Sequence, residues 1–167
     1  MQNAITLKEQ GNVYFKTKEY KKAISCYSKV ASYTRCIIPI ENKEVPSFAK
    51  GPEASEEQID QAREIAASTT LNMSICYHLL GDYKRAADKA TISLDHKKSL
   101  KAFYRRGKAY AMLKDSERAI KDMESAVKMD TSDPNDIQQE IVQLRTRMKA
   151  QEREANQKLS GFLLKSD

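Results

Sequence analysis

Apolar residues recur along this chain at helical spacing. Ala23, Ile24, Tyr27, Val30 and Ala31 fall at offsets 0, 1, 4, 7 and 8, and Ala119, Ile120, Met123, Ala126 and Val127 repeat those offsets. Such a set lies on one face of a helix. Each set follows a short polar turn, Lys18-Glu19-Tyr20 or Lys114-Asp115-Ser116, and Gly81-Asp82-Tyr83 holds the equivalent place between them. Ahead of each turn a tiny residue (Gly11, Ser74, Gly107) stands three before a tyrosine (Tyr14, Tyr77, Tyr110) and twelve before an alanine (Ala23, Ala86, Ala119). Residues at i and i+3 share a helical face. The tiny residue therefore lets a second helix approach, the tyrosine fills the space beside it, and the alanine is the matching small surface. The pattern predicts three antiparallel helical hairpins.

The remaining segments complete the plan. Tyr77 and Tyr110 are 33 residues apart and Tyr14 and Tyr77 are 63 apart, so about 30 extra residues separate the first two hairpins. Pro39, Pro46, Gly51 and Pro52 make residues 37–55 a loop insert, and residues 38–54 are expected to be the most mobile internal segment. Ser55 with Gln58 reads as a capping box that opens a long helix over about 56–80. Thr131-Ser132-Asp133-Pro134 reads as another helix start, and Ile137, Ile141, Leu144 and Met148 give that helix an apolar stripe. Its first half is expected to cap the stack. Its second half, with Ala155, Leu159, Phe162 and Leu163 as a weaker stripe, is expected to project into solvent. The whole is a single all-α domain over 1–163: hairpins at about 4–36, 56–96 and 99–131, and a final helix at about 134–163.

Composition narrows the function classes. The 167 residues are 40% apolar and 31% charged, enough for a core, and the scarcity of Gly (5) and Pro (4) favours helices over many short strands. No apolar run approaches the roughly 18–20 residues of a membrane span, and the first residues lack the apolar stretch of a secretory signal. Cys26, Cys36 and Cys76 are irregularly spaced and the only histidines are His78 and His96, so neither a structural zinc site nor a disulfide framework is expected. The thiols are read as reduced, as in a cytosolic protein. No Ser/His/Asp set, Cys/His pair or phosphate loop suggests catalysis. The net charge of +6 admits an acidic partner, but the glycine-rich loops, zinc spacings and aromatic–basic strand motifs of nucleic-acid binders are absent.

The tiny-residue, tyrosine and alanine offsets, with the spacing of Tyr77 and Tyr110, resemble the tetratricopeptide repeat, whose period is about 34 residues. The resemblance implies a right-handed superhelix of three helix hairpins plus a long C-terminal capping helix, seven helices in all. The first helices of the hairpins would line its concave wall. On those helices Lys8 and Asn12, then Asn72, then Lys101 and Arg105 match, position by position, the carboxylate clamp of co-chaperone repeat domains. In that family the clamp holds the C-terminal Glu-Glu-Val-Asp of heat-shock protein 90 or heat-shock protein 70. The chemistry agrees. A terminal Asp presents two carboxylates, and three cations with two amides from three helices can hold both. Phe15, one turn past Asn12, Ser68, one turn before Asn72, and Lys108 are further candidates for the groove lining.

The run Lys101-Ala-Phe-Tyr-Arg-Arg-Gly-Lys108, the long insert and the basic C-terminal helix narrow the resemblance. They are similar to the repeat regions of large FK-506-binding immunophilins and of the aryl-hydrocarbon-receptor-interacting protein group. There an isomerase-like domain precedes the repeats. This chain is expected to carry no catalytic site, cofactor or metal, and to work in the cytoplasm, with the nucleus as the alternative. Arg145, Arg147, Lys149, Arg153, Lys158 and Lys165 interleave with Leu144, Met148, Leu159 and Phe162. That basic amphipathic pattern makes calmodulin, or a different acidic C-terminus, the alternative partner.

Overall fold

The computed structural model describes residues 2–38, 54–130 and 136–163. Among the described residues there are seven α-helices and no strand: α1 (Gln2–Lys16), α2 (Tyr20–Arg35), α3 (Glu56–Leu79), α4 (Tyr83–His96), α5 (Leu100–Met112), α6 (Ser116–Met129) and α7 (Ile137–Leu163). Helices adjacent in sequence pack together, so α1/α2, α3/α4 and α5/α6 are hairpins and α7 lies on α6. The expectation of three hairpins and a terminal helix holds. Most of the segment expected to be mobile, 39–53, and the Thr131–Pro134 helix start lie outside the described residues.

The offsets read in the sequence have direct packing causes. Ala23, Ala86 and Ala119 are all fully buried. In the third hairpin a Cβ on Gly107 would sit 3.1 Å from the Ala119 carbonyl oxygen, so the two backbones meet where the pattern put them. In the second the Ser74 hydroxyl donates 2.8 Å to the Ala86 carbonyl, using the same closeness for a hydrogen bond. The first hairpin differs. The space that Gly11 leaves is taken by the Tyr27 ring of α2, whose Cε1 would lie 2.4 Å from an added Cβ.

The turns repeat as well. Lys18, Gly81 and Lys114 all have φ between +62° and +79°, and the next N–H (Glu19, Asp82, Asp115) donates to the carbonyl of Tyr14, Tyr77 or Tyr110. This is the left-handed close of a helix that satisfies its last carbonyls. The side chains of Asp82 and Asp115 then cap α4 and α6, accepting from the N–H of Arg85 and of Arg118 at 3.0 Å. Arg85 and Arg118 pair with those aspartates and lie 4.7 and 4.4 Å from the centroids of Tyr77 and Tyr110; Lys22, paired with Glu19, lies over Tyr14. One sequence offset thus ends a helix, starts the next and covers the repeat tyrosine.

The long α3 begins with the predicted capping box: Gln58 N–H donates to Ser55 Oγ at 3.3 Å and Ser55 N–H donates to Gln58 Oε1 at 3.0 Å. Its early turns bury Ala62, Ala66 and Ala67, and the Ser93 hydroxyl of α4 donates 2.8 Å to the Ala67 carbonyl. The hairpins are tied together by a largely buried ion pair. Arg106 of α5 donates from Nε and Nη2 to Asp122 of α6 at 2.7 and 2.8 Å, and from Nη1 to Thr91 of α4 at 3.2 Å. Ile137, Ile141 and Leu144 of α7 join the core of the third hairpin, while from Arg145 to Lys158 every described side chain but Met148 is exposed.

Candidate functional site: the amides and cations of the first helices

The sequence pattern nominated one residue set from each hairpin's first helix. In α1 and α3 the structure brings them into direct contact. Lys8 Nζ donates 2.7 Å to Ser68 Oγ, whose own hydroxyl donates 3.1 Å to the Ile65 carbonyl. Asn72 Nδ2 donates 3.2 Å to Asn12 Oδ1. Lys8, Asn12, Ser68 and Asn72 are all half-buried. A seam of polar groups therefore runs between two helices whose partners lie 60 residues apart in sequence.

The α5 residues are arranged differently. Lys101 and Arg105, one turn apart, are both exposed and, among the described residues, have no ion-pair partner. The Arg105 guanidinium stands 6.0 Å from the ring centroid of Tyr104. Lys108 is not an open cation like these two. Its ammonium bonds Glu140 of α7 at 3.0 Å, and Tyr104 donates its hydroxyl to the other oxygen of that carboxylate at 2.9 Å. Phe15 belongs to the hairpin core: it packs in the cluster of Ala23, Tyr27, Met73 and Cys76, tilted against Tyr20 with centroids 5.8 Å apart.

Three neighbours were not singled out by the sequence. Tyr27, fully buried on α2, donates its hydroxyl 2.8 Å to Asn12 Oδ1. In the sequence it reads only as one apolar position of the α2 stripe. Glu140 is in the first turn of α7, where an acid is expected for its own helix end. His78 packs edge-on against Tyr83 at 5.2 Å, and its pKa is lowered first by burial, then by the nearby charges of Arg105 and Lys108. Burial likewise pushes the Tyr27 phenol up to about 12 and the Cys76 thiol up to about 11.

The set is chemically suited to holding an anion. Donors dominate: ammonium groups, a guanidinium and amide N–H groups. The Glu140 carboxylate is engaged by Lys108 and Tyr104. Among the described residues no group of three His, Cys, Asp or Glu could hold a metal ion, and no helix is long and apolar enough to cross a membrane. A cleft of about 370 Å3 between α2, α3 and α4, lined by residues such as Arg35, Met73 and Lys89, contains none of these donors. The candidate site is an open wall of helices rather than a cavity.

Comparison with known proteins agrees with the fold. The sequence model described as "Tetratricopeptide repeat" matches residues 9–35 and 100–133. Among solved structures, the C-terminal tetratricopeptide-repeat domain of a Plasmodium falciparum FK506-binding protein superimposes with a TM-score of 0.73 at 25% identity, over 91% of this chain and 92% of that one. The first such domain of Spaghetti (RPAP3), solved with the HSP90 peptide SRMEEVD, gives 0.66 at 23% identity over 89% of this chain and 94% of that one. The second such domain of human RPAP3, solved with the HSP70 peptide SGPTIEEVD, gives 0.62 at 22% identity over 86% and 96%. The chain thus carries tetratricopeptide repeats and has the fold of a tetratricopeptide-repeat domain.

Proposed function

We propose that this chain is the adaptor domain of a co-chaperone and binds the C-terminal Glu-Glu-Val-Asp peptide of heat-shock protein 90 or 70 through Lys8, Asn12, Asn72, Lys101 and Arg105. The observation that carries the reading is the pair of exposed cations Lys101 and Arg105, without an ion-pair partner among the described residues, on the same row of first helices as the bonded amides Asn12 and Asn72. Two carboxylates on one terminal Asp need that mixture: charge for affinity, amide N–H for direction. Peptides ending in Glu-Glu-Val-Asp occupy the solved domains of RPAP3 described above. The finer assignment, to an immunophilin-like protein, is supported by the 25% identity to the domain of an FK506-binding protein; its place of action in this reading is the cytoplasm, with the nucleus as the alternative.

The test is calorimetric titration with the HSP90 and HSP70 peptides, each with a free C-terminus and with a C-terminal amide. Binding of the free acids, and a loss of at least about tenfold on amidation, is the expected result. Equal binding of acid and amide would refute a site built for the terminal carboxylate.

A further inference from the structure

Resting on the reading above, we propose that the Tyr27 hydroxyl is a positioning group for the carboxylate site: it decides which way the Asn12 amide faces and so makes that amide a donor toward the bound anion.

An asparagine amide offers a carbonyl oxygen with two lone pairs and an NH2 with two protons. Asn12 Oδ1 accepts from the Tyr27 hydroxyl at 2.8 Å and from Asn72 Nδ2 at 3.2 Å, so its accepting capacity is filled. What Asn12 has left is its Nδ2, a donor. Asn72 Nδ2 donates to Asn12 Oδ1 and, more weakly, to the Tyr27 hydroxyl oxygen at 3.5 Å.

The reverse arrangement is conceivable for the two amides alone. Both could rotate so that Asn12 Nδ2 donates to Asn72 Oδ1. Asn12 would then present its oxygen to an incoming carboxylate, and the two would repel. The phenol breaks the symmetry. With both amides reversed, the Tyr27 hydroxyl would face Asn12 Nδ2 and could donate only toward Asn72 Oδ1, at the position now 3.5 Å away instead of 2.8 Å, so the buried phenol keeps its short, strong bond only in the observed orientation. The side chain is fully buried, and burial keeps the phenol protonated across the ordinary pH range.

The ring itself is held by the backbone opposite. Tyr27 Cε1 and Cδ1 would lie 2.4 and 2.7 Å from a Cβ on Gly11, so the phenol reaches the amides only because residue 11 has no side chain. The glycine of the first hairpin serves the site as well as the packing. The second and third hairpins have Ala90 and Met123 sixteen residues after their tiny residue, where the first has Tyr27, so neither has a hydroxyl there.

Tyr27→Phe keeps the ring and removes only the hydroxyl. Titrating the free-acid Glu-Glu-Val-Asp peptide into the wild type, Tyr27→Phe, Asn12→Ala and the double variant tests the assignment. Tyr27→Phe is expected to weaken binding roughly three- to tenfold, and to change it less than about twofold once Asn12 is already alanine. The Asn12 side-chain NH2 signals in a 15N–1H spectrum should also move in Tyr27→Phe, whether or not peptide is present. Wild-type affinity in Tyr27→Phe, or the same loss in both backgrounds, would overturn the proposal: the first because the hydroxyl would be idle, the second because it would act through packing alone. Failure of the wild type to distinguish acid from amide is a separate result that overturns the carboxylate reading itself.

Discussion

Two glycines resist the same substitution for different reasons. Gly11→Ala drives a methyl into the buried Tyr27 ring, and overpacking of this kind costs about 1–3 kcal/mol. Gly81→Ala meets nothing within 4 Å, yet the residue has φ +79°, where an L side chain costs about 1 kcal/mol. Urea unfolding should show both losses, and peptide binding should fall further in Gly11→Ala because the Tyr27 hydroxyl moves with its ring. Lys114 occupies the same turn position with φ 62°, so Lys114→Gly should be neutral or raise stability by up to about 1 kcal/mol. Thr69, fully buried on α3, has a hydroxyl with no partner among the described residues. Thr69→Val removes that unsatisfied group at nearly constant volume and should stabilise by about 1 kcal/mol in the same assay.

Among the helices, the ion pair of Arg106 and Asp122 is the element-scale device that joins α5 to α6 and, through Thr91, to α4. Asp122→Ala leaves a guanidinium mostly buried without its carboxylate, which should cost about 3–5 kcal/mol in unfolding free energy. The caps respond to pH. The backbone N–H and guanidinium of Arg85 hold the Asp82 carboxyl below its usual 3.8, and the guanidinium and N–H of Arg118 do so for Asp115. A lowered carboxyl contributes stability that is present above pH 3.8 and fades as pH falls below it. Asp115→Ser should therefore flatten part of the acid limb of a pH titration of stability. Most of this level was legible in the sequence. The tiny residues, tyrosines and alanines gave the hairpins because backbone closeness demands particular residue sizes at particular offsets, and Ser55 and Gln58 gave the start of α3. Less legible were contacts between side chains far apart in sequence. Tyr27 sits on an apolar stripe, so its hydroxyl's role depends on where α3 delivers Asn72, and Lys108 looked like a groove cation until α7 placed Glu140 beside it.

For the whole molecule, a net charge of +6 and a row of donors across α1, α3 and α5 make anion binding the property to measure. Affinity for the acidic peptide should fall with added salt, because part of the attraction is screened Coulomb energy. His78 adds a pH term. Burial and the charges of Arg105 and Lys108 hold its pKa below 6.5, so in the free protein it is neutral at pH 7. A carboxylate docking against Arg105 offsets that repulsion and raises the His78 pKa. Binding should therefore take up protons and strengthen as pH falls below 6.5, and His78→Gln should remove that slope. The most direct measurement is the affinity of Arg105→Glu for the free-acid Glu-Glu-Val-Asp peptide, read beside its melting curve and beside Lys149→Ala on the exposed part of α7. Arg105 is exposed and outside the core, so the variant should melt within a few degrees of the wild type. Lys149→Ala should bind normally. Arg105→Glu should lose about 2–5 kcal/mol of binding, roughly thirtyfold or more in affinity, because a cation facing two carboxylates has been replaced by an anion. An Arg105→Glu protein that melts like the wild type and binds the peptide with unchanged affinity would contradict the account.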